Sequence, residues 1–155
     1  MTIDTYADAA HSWQTAGGTI QLNSNNTRNI DGNGEFIGLQ FAPAVNQGAT
    51  INSATLTVEF NGANDGIYQV RADDSDNAAA LSTTTDDLVN RTGTTSYLDG
   101  VNDTSGVVDL DVTDIVQEVV DRAGWSSGNR LVLLLEGFSP GGDDCEIRLH
   151  STSME

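Results

Sequence analysis

Apolar and polar residues alternate with a period of two along several short segments of this 155-residue chain. The alternation is clearest over 51–60, where Ala54, Leu56, Val58 and Phe60 share one face and polar residues share the other. Because successive side chains of a strand point to opposite faces of its sheet, this segment predicts a half-buried β-strand. The same pattern predicts further strands at 19–22, 35–41, 67–72, 107–110 and 145–150.

Two other segments have a different pattern. Between Asp111 and Gly124 the apolar residues recur at helical spacing, which predicts one amphipathic helix with Asp111 or Thr113 as its N-terminal cap and Gly124 as its stop. The segment 130–136 is almost continuously apolar, which predicts a strand buried on both faces. The apolar stripe of the helix consists of Ile115, Val116, Val119 and Val120.

Together these elements predict the fold class. About seven strands separated by turn-forming residues, with one short helix near 112–123, favour an all-β, antiparallel, jelly-roll-like β-sandwich. We assign the sandwich domain to residues 35–155. Residues 1–34 are polar and rich in asparagine and glycine, and we interpret them as an N-terminal arm or edge segment that orders on a neighbouring molecule. Residues 73–106 predict a long polar connection.

The composition adds an unusual charge balance. The chain has six arginines, no lysine and 23 acidic residues, so its formal net charge is -17. Mutual repulsion destabilises such a protein in dilute buffer, whereas at molar salt the Debye length falls to about 3 Å and the repulsion is screened. We therefore expect a protein that works in brine; an ordinary acidic extracellular module is the alternative.

The charge argues against nucleic-acid binding, which needs basic patches. The longest apolar run, Leu131–Leu135, is too short to span a membrane.

Three parts of the sequence resemble a known family. Residues 47–56 read QGATINSATL, residues 74–79 read DSDNAA, and residues 114–129 read DIVQEVVDRAGWSSGN. These motifs are similar to those of β-sandwich modules related to the DNRLRE domain, which occur in secreted and viral structural proteins. The resemblance begins at about Phe36. It implies a jelly-roll-like sandwich with a structural or carbohydrate-binding accessory role, and it carries no catalytic residues.

Three aspartates, Asp73, Asp74 and Asp76, begin the long connection next to Asn77. Carboxylate and carbonyl oxygens are the ligands that Ca²⁺ takes, so a calcium site is one hypothesis for this cluster; a solvated acidic loop is the alternative. The EF-hand spacing is absent. We expect no other cofactor, because a single cysteine, Cys145, and two distant histidines do not make a Cys/His metal site.

Two aromatic residues in polar segments, Trp13 and Tyr97, are candidates for contact with a glycan or a protein partner, because exposed rings stack on sugars and anchor interfaces. The alternative is that each ring covers an edge of the core. Acid–base catalysis needs two carboxylates in different environments inside a cleft, and nothing in the sequence marks such a pair. The G-x-S-x-G nucleophile motif is missing as well. We therefore expect no enzymatic activity.

A virion protein reconciles the sandwich, the acidic composition and an N-terminus, Met1–Tyr6, that lacks the basic and apolar parts of a signal peptide. We expect a capsid decoration protein of a virus with a halophilic host, assembled in the host cytoplasm and bound to the major capsid protein or another virion protein. Proteins on symmetric lattices form cyclic oligomers, so we favour a homotrimer. The alternative is a glycan-binding module, either a receptor-binding head of the virion or a protein of the cell surface.

Overall fold

The computed structural model describes residues 11–22, 27–30, 32, 34–138 and 145–154, with the backbone alone for 149–154. Within these residues the chain forms ten β-strands and one α-helix. In chain order the elements are β1 (His11–Gln14), β2 (Ile20–Leu22), β3 (Thr27–Ile30), β4 (Phe36–Phe41), β5 (Thr55–Phe60), β6 (Gly66–Ala72), β7 (Leu98–Asn102), β8 (Gly106–Asp111), α1 (Thr113–Val120), β9 (Leu131–Gly137) and β10 (Cys145–Met154).

The strands form two sheets that pack face to face around one main core. The six-stranded sheet has the order β2-β1-β4-β9-β6-β7, and the four-stranded sheet has the order β3-β10-β5-β8. All neighbouring strands in the two sheets are antiparallel. This architecture confirms the predicted antiparallel β-sandwich. The single helix among the described residues is eight residues long, and no described helix has the length and apolar character needed to cross a membrane.

The residues before β5 run along the helix instead of extending the strand. The Ile51 N–H donates to Gln117 Oε1, and the Ala54 N–H donates to Thr113 Oγ1. β5 therefore begins at Thr55 rather than at residue 51. These bonds attach the helix to the four-stranded sheet through two of its polar side chains.

The helix is shorter than the predicted range 111–124. Its cap position is Val112, which makes no capping bond through its side chain. The Thr113 N–H instead donates to Asp111 Oδ1, so the predicted aspartate holds the helix start from one residue further back. The apolar stripe is buried as predicted: Ile115, Val116, Val119 and Val120.

The described residues between 11 and 30 form three strands of the two sheets. β1 lies inside the six-stranded sheet between β2 and β4, while β2 and β3 are edge strands of the two sheets. The interpretation of 1–34 as an arm or edge segment stays a prediction. The pattern of apolar and polar residues does not predict β1, because polar residues, Ser12 and Gln14, are almost fully buried on one side of this strand. The first ten residues of the predicted arm lie outside the described part of the chain.

β9 is the strand on which two hydrophobic clusters meet. Leu131, Leu133 and Leu135 face the main core between the two sheets. Val132 and Leu134 point to the opposite face of the sheet and are buried there in a second core. The predicted burial of this strand on both faces is therefore confirmed.

Leu133 is fully buried in the main core, so Leu133→Ala should lower the free energy of unfolding by about 2–5 kcal/mol through lost burial and the cavity left behind. Val107→Ala is the matched control, because the Val107 side chain is 67% exposed; we expect a change within about 0.5 kcal/mol. Urea unfolding in molar KCl measures both. Similar losses for the two variants would contradict this account of the core.

Candidate functional site

The outer face of the six-stranded sheet has a covered half and an open half. The connection, residues 73–97 between β6 and β7, crosses the covered half. Its Leu81 and Leu88 are buried against the sheet together with Val132. A Cβ atom on Gly38 would lie 2.7 Å from Leu88 Cδ2, so glycine at this position of β4 allows the connection to approach the sheet closely.

Two glutamines of the sheet bind the backbone of the connection. Gln14 Oε1 accepts from the Leu88 N–H at 2.9 Å and from the Val89 N–H at 3.2 Å. Gln40 Oε1 accepts from the Leu81 N–H. A buried polar group without its partner destabilises a fold by about 1–3 kcal/mol, so these bonds allow a polar segment to be buried on a sheet.

Arg91 ties the two ends of the connection together. Its Nη1 lies 2.8 Å from Asp73 Oδ2 and its Nη2 lies 3.1 Å from Asp87 Oδ1. The same guanidinium donates to the carbonyl groups of Ala79 and Ala80. Only 6% of the Arg91 side chain is exposed, so this is a buried ion-pair network rather than a surface contact.

Arg122, which follows the helix, binds the other two aspartates of the predicted calcium site. Its guanidinium donates to Asp76 and to Asp74, while Asp73 belongs to the Arg91 network. The three carboxylates are thus divided between two arginines. Within the described ranges, no three Asp, Glu, His or Cys side chains are grouped as metal ligands. The calcium site stays a prediction, and the arrangement gives these aspartates another role, which is to fix the start of the connection.

The uncovered half of the outer face, over β9, β6 and β7, is the open face. Its outward side chains are those of Ile67, Gln69 and Arg71 on β6, Glu136 on β9, Asp99 and Val101 on β7, and Tyr97 just before β7. The strand register places them in rows: Val101 lies opposite Ile67, and Gln69 lies between Asp99 and Glu136.

A hydrogen-bonded ladder holds Arg71 on the open face. Gln69 Nε2 donates to Asp99 Oδ1, and Gln69 Oε1 accepts from Arg71 Nε. Arg71 Nη1 donates to the Thr94 carbonyl group. The Arg71 guanidinium also lies 4.6 Å from the centroid of the Tyr97 ring, a cation–π contact. Tyr97 is nevertheless 53% exposed, so it remains accessible to a partner or glycan.

A cleft of about 240 Å³ lies where the open face meets the connection. Its walls combine apolar side chains with two arginines, one glutamine and one glutamate: Phe36, Gln69, Arg71, Val89, Arg91, Gly93, Leu134 and Glu136. Burial raises the pKa of Glu136, and the charge of Arg71 acts in the opposite direction. The cleft therefore offers hydrogen-bond donors and an acceptor between apolar walls.

Glu118 of α1 holds the residues directly before Tyr97. Its carboxylate accepts from the Thr95 N–H and the Ser96 N–H, each at 2.7 Å, and from the Thr95 hydroxyl group. Burial acts to raise the pKa of Glu118, but the hydrogen bonds from Ser96 and Thr95 outweigh it and lower the pKa to about 2. The helix thus fixes the path of the chain into the open face.

Trp13 and Tyr97 do not form one site. Trp13 lies on β1, packs against the main core and donates from Nε1 to the Asn29 carbonyl group at 3.1 Å. The Arg28 guanidinium lies 4.6 Å from its ring centroid. β1 and β7 are four strand spacings apart in the sheet, roughly 19 Å. Trp13 thus has the position of a ring that covers an edge of the core, and Tyr97 alone belongs to the open face.

Sequence reasoning missed Gln69, Arg71 and Glu136. A signal was present: Gln69 and Arg71 occupy alternate positions of a predicted strand, and Glu136 ends the apolar run of β9. A polar residue at the end of a strand that is buried on both faces indicates where its cover stops. These residues meet because β6 pairs with β9. The two strands are far apart in sequence, so no local pattern predicts this pairing.

Comparison of the sequence with protein-family models gave no match, and comparison with curated proteins gave none either. The resemblance to DNRLRE-related modules therefore stays a prediction.

Replacing Arg91 should destabilise the fold far more than replacing Arg122. Arg91→Met leaves Asp73 and Asp87 as buried carboxylates without their cation, which costs about 3–5 kcal/mol. Arg122 is 31% exposed, and solvent-exposed ion pairs contribute about 0–1 kcal/mol, so Arg122→Met should have a small effect. Urea unfolding of the two variants in molar KCl makes the comparison. Equal losses would show that Arg91 is not the residue that fixes the connection.

Glu118→Gln should lower the free energy of unfolding by about 1–3 kcal/mol, because charged hydrogen bonds are lost. The lowered pKa means that the carboxylate stabilises the fold fully above its ordinary pKa of 4.5 and loses this effect as the pH falls to about 2. The gap in stability between wild type and Glu118→Gln should therefore close over this interval. Unfolding measured across the interval, with the exposed Asp114→Asn on the same helix as control, tests it. A gap independent of pH would contradict the assignment.

Proposed function

We propose that this protein is a non-enzymatic structural protein of a virus particle from a halophilic host. In this role it decorates the capsid by binding the major capsid protein or another virion protein. The observation that carries the proposal is that the six arginines are bonded within the fold and exposed carboxylates are left without a cation partner. A surface with such an excess of negative charge favours a medium of high salt.

Each of the six arginines donates at least one hydrogen bond to another group of the protein. In contrast, Asp65, Asp103 and Asp114 are exposed and belong to none of the ion pairs among the described residues. The arginines are thus all bonded to groups of the fold, while these exposed carboxylates have no cation partner in the described part of the chain. Such a surface is stable where salt screens it.

A virion role fits a brine-adapted sandwich that meets the medium outside the host. Assembly in the host cytoplasm and release with the particle place it there. Repetition on a symmetric lattice favours a cyclic homo-oligomer, with a trimer as the expected state. In this role the protein binds a lattice and catalyses no reaction.

A glycan-binding module is the second candidate, and the open face favours it. Tyr97 presents an exposed ring there, next to the ladder of Asp99, Gln69 and Arg71. Rings combined with fixed donors and acceptors are suited to sugars, which have apolar faces and hydroxyl edges. The two candidates are compatible, since a virion protein can carry a receptor-binding surface.

Dialysis from molar KCl into dilute buffer should unfold the protein, because the repulsion among its carboxylates is no longer screened. Circular dichroism follows the loss of the sandwich. The combined variant Asp65→Asn, Asp103→Asn and Asp114→Asn removes three exposed charges and should unfold at a lower salt concentration than the wild type. A full sandwich signal in dilute buffer would remove the halophilic part of the proposal.

Quantitative mass spectrometry of purified particles from the source culture, scaled to the major capsid protein, tests the virion role. We expect hundreds of copies per particle for a decoration protein. A few copies per particle would move the protein to a tail, fibre or vertex and strengthen the glycan-binding candidate. Absence from purified particles would overturn the virion proposal.

A further inference from the structure

The cleft beside Arg71 has unused hydrogen-bonding groups of both kinds. Arg71 uses Nε and Nη1 within the ladder, and its Nη2 makes no hydrogen bond with the described residues. The Glu136 carboxylate likewise has no hydrogen bond or ion pair in the described part of the chain. A free donor and a free acceptor therefore lie on adjacent strands of the same wall.

Arg91, which also lines the cleft, has a buried donor without a partner. Arg91 Nε is buried and makes no hydrogen bond with a described residue, although the side chain is 94% buried and its other nitrogens are paired. Leaving a buried donor without a partner costs about 1–3 kcal/mol. Because this atom is closed to solvent, a ligand in the cleft does not reach it, and the accessible binding groups of the cleft are those of Arg71 and Glu136.

The charge around the cleft favours a neutral ligand. The Arg91 charge is balanced by Asp73 and Asp87, and Glu136 lies near the charge of Arg71. The Glu136 carboxylate would repel an anion, and the guanidinium groups of Arg71 and Arg91 would repel a cation, since all three residues line the cleft. A hydroxyl group avoids both conflicts, because it can accept from Arg71 and donate to Glu136 at once.

The size and the walls restrict the ligand further. The volume of about 240 Å³ is below the range of about 300–1,000 Å³ that holds drug-sized ligands. The walls also include Phe36, Val89 and Leu134, which suit the C–H face of a ring. Gly93 permits the close approach of Arg71, since a Cβ atom there would lie 2.7 Å from Arg71 Cδ.

We propose that this cleft binds one neutral sugar ring through a pair of adjacent hydroxyl groups held between Arg71 and Glu136. The site is preorganised, because Gln69, the Thr94 carbonyl group and the Tyr97 ring already hold the guanidinium, so little ordering is needed on binding. The inference deepens the glycan-binding candidate and rests on it, and it is independent of the virion role.

The test is a titration of ¹⁵N-labelled full-length protein in molar KCl with methyl α-D-glucopyranoside, methyl α-D-mannopyranoside, methyl α-D-galactopyranoside and D-glucuronate, followed by NMR. We expect at least one neutral glycoside to give saturable shifts of Gly93, Leu134 and the Arg71 Nε–H. Glu136→Gln should weaken that binding at least about tenfold, since the 1.4 kcal/mol behind a tenfold change is within reach of one charged hydrogen bond.

Glu146→Gln is the matched control, because it removes a carboxylate from the outer face of the four-stranded sheet, and it should leave the dissociation constant unchanged. Val89→Trp fills the cleft without touching the ladder and should also abolish binding. No saturable shift with any neutral glycoside would overturn the proposal, as would tighter binding of glucuronate. Shifts elsewhere, unaffected by Glu136→Gln, would overturn the cleft assignment while leaving the glycan-binding candidate intact.

Discussion

Strand β9 has apolar side chains on both of its faces, and both must be removed from water. The four-stranded sheet and the helix cover one face, as in any sandwich. The other face would be open to solvent if the chain between β6 and β7 did not return across it. The second core, built from Leu81 and Leu88 against Val132 and Leu134, is therefore a requirement of the β9 sequence, and the position of the connection follows from it.

Covering a sheet with a polar segment creates a need for hydrogen bonds. The connection brings backbone N–H groups and aspartates into partly buried positions, where each must have a partner. Gln14 and Gln40 supply acceptors from the sheet, and Arg91 neutralises Asp73 and Asp87. The chain has six arginines, no lysine and 23 acidic residues, so most of its acidic side chains have no cation of the chain to balance them.

We expect the functional surface where the connection no longer covers the six-stranded sheet. Beyond the connection, the outer face of β9, β6 and β7 is left open, and the change from apolar to polar along β9 occurs at Glu136. The cleft forms at the border between the covered half and the open face. Its lining comes from the sheet and from the end of the connection. Its polar groups are held by the scaffold rather than by a flexible loop, since Glu118 fixes the chain before Tyr97 and the ladder fixes Arg71. An open sheet face with a fixed polar step is suited to recognition.

Local sequence determined the elements that have either a regular period of apolar residues or a continuous apolar run. The alternation around Leu56 and Val58 specified β5, and the spacing of Ile115 and Val119 specified the helix, because in both cases the local period matches the geometry of the element. The continuous apolar run specified β9 as a strand buried on both faces. Local sequence did not determine β1 or β7. In β1, Gln14 is buried because it binds the backbone of the connection. In β7, Gly100 is needed because a Cβ atom there would lie 2.2 Å from the Tyr68 ring. Nor did it determine the pairing of Asp73 with Arg91, or the meeting of Arg71 and Glu136 on neighbouring strands. Those depend on strand order and on the path of the connection, which only tertiary packing decides, since the partners are separated in sequence and joined by contacts that no local period encodes.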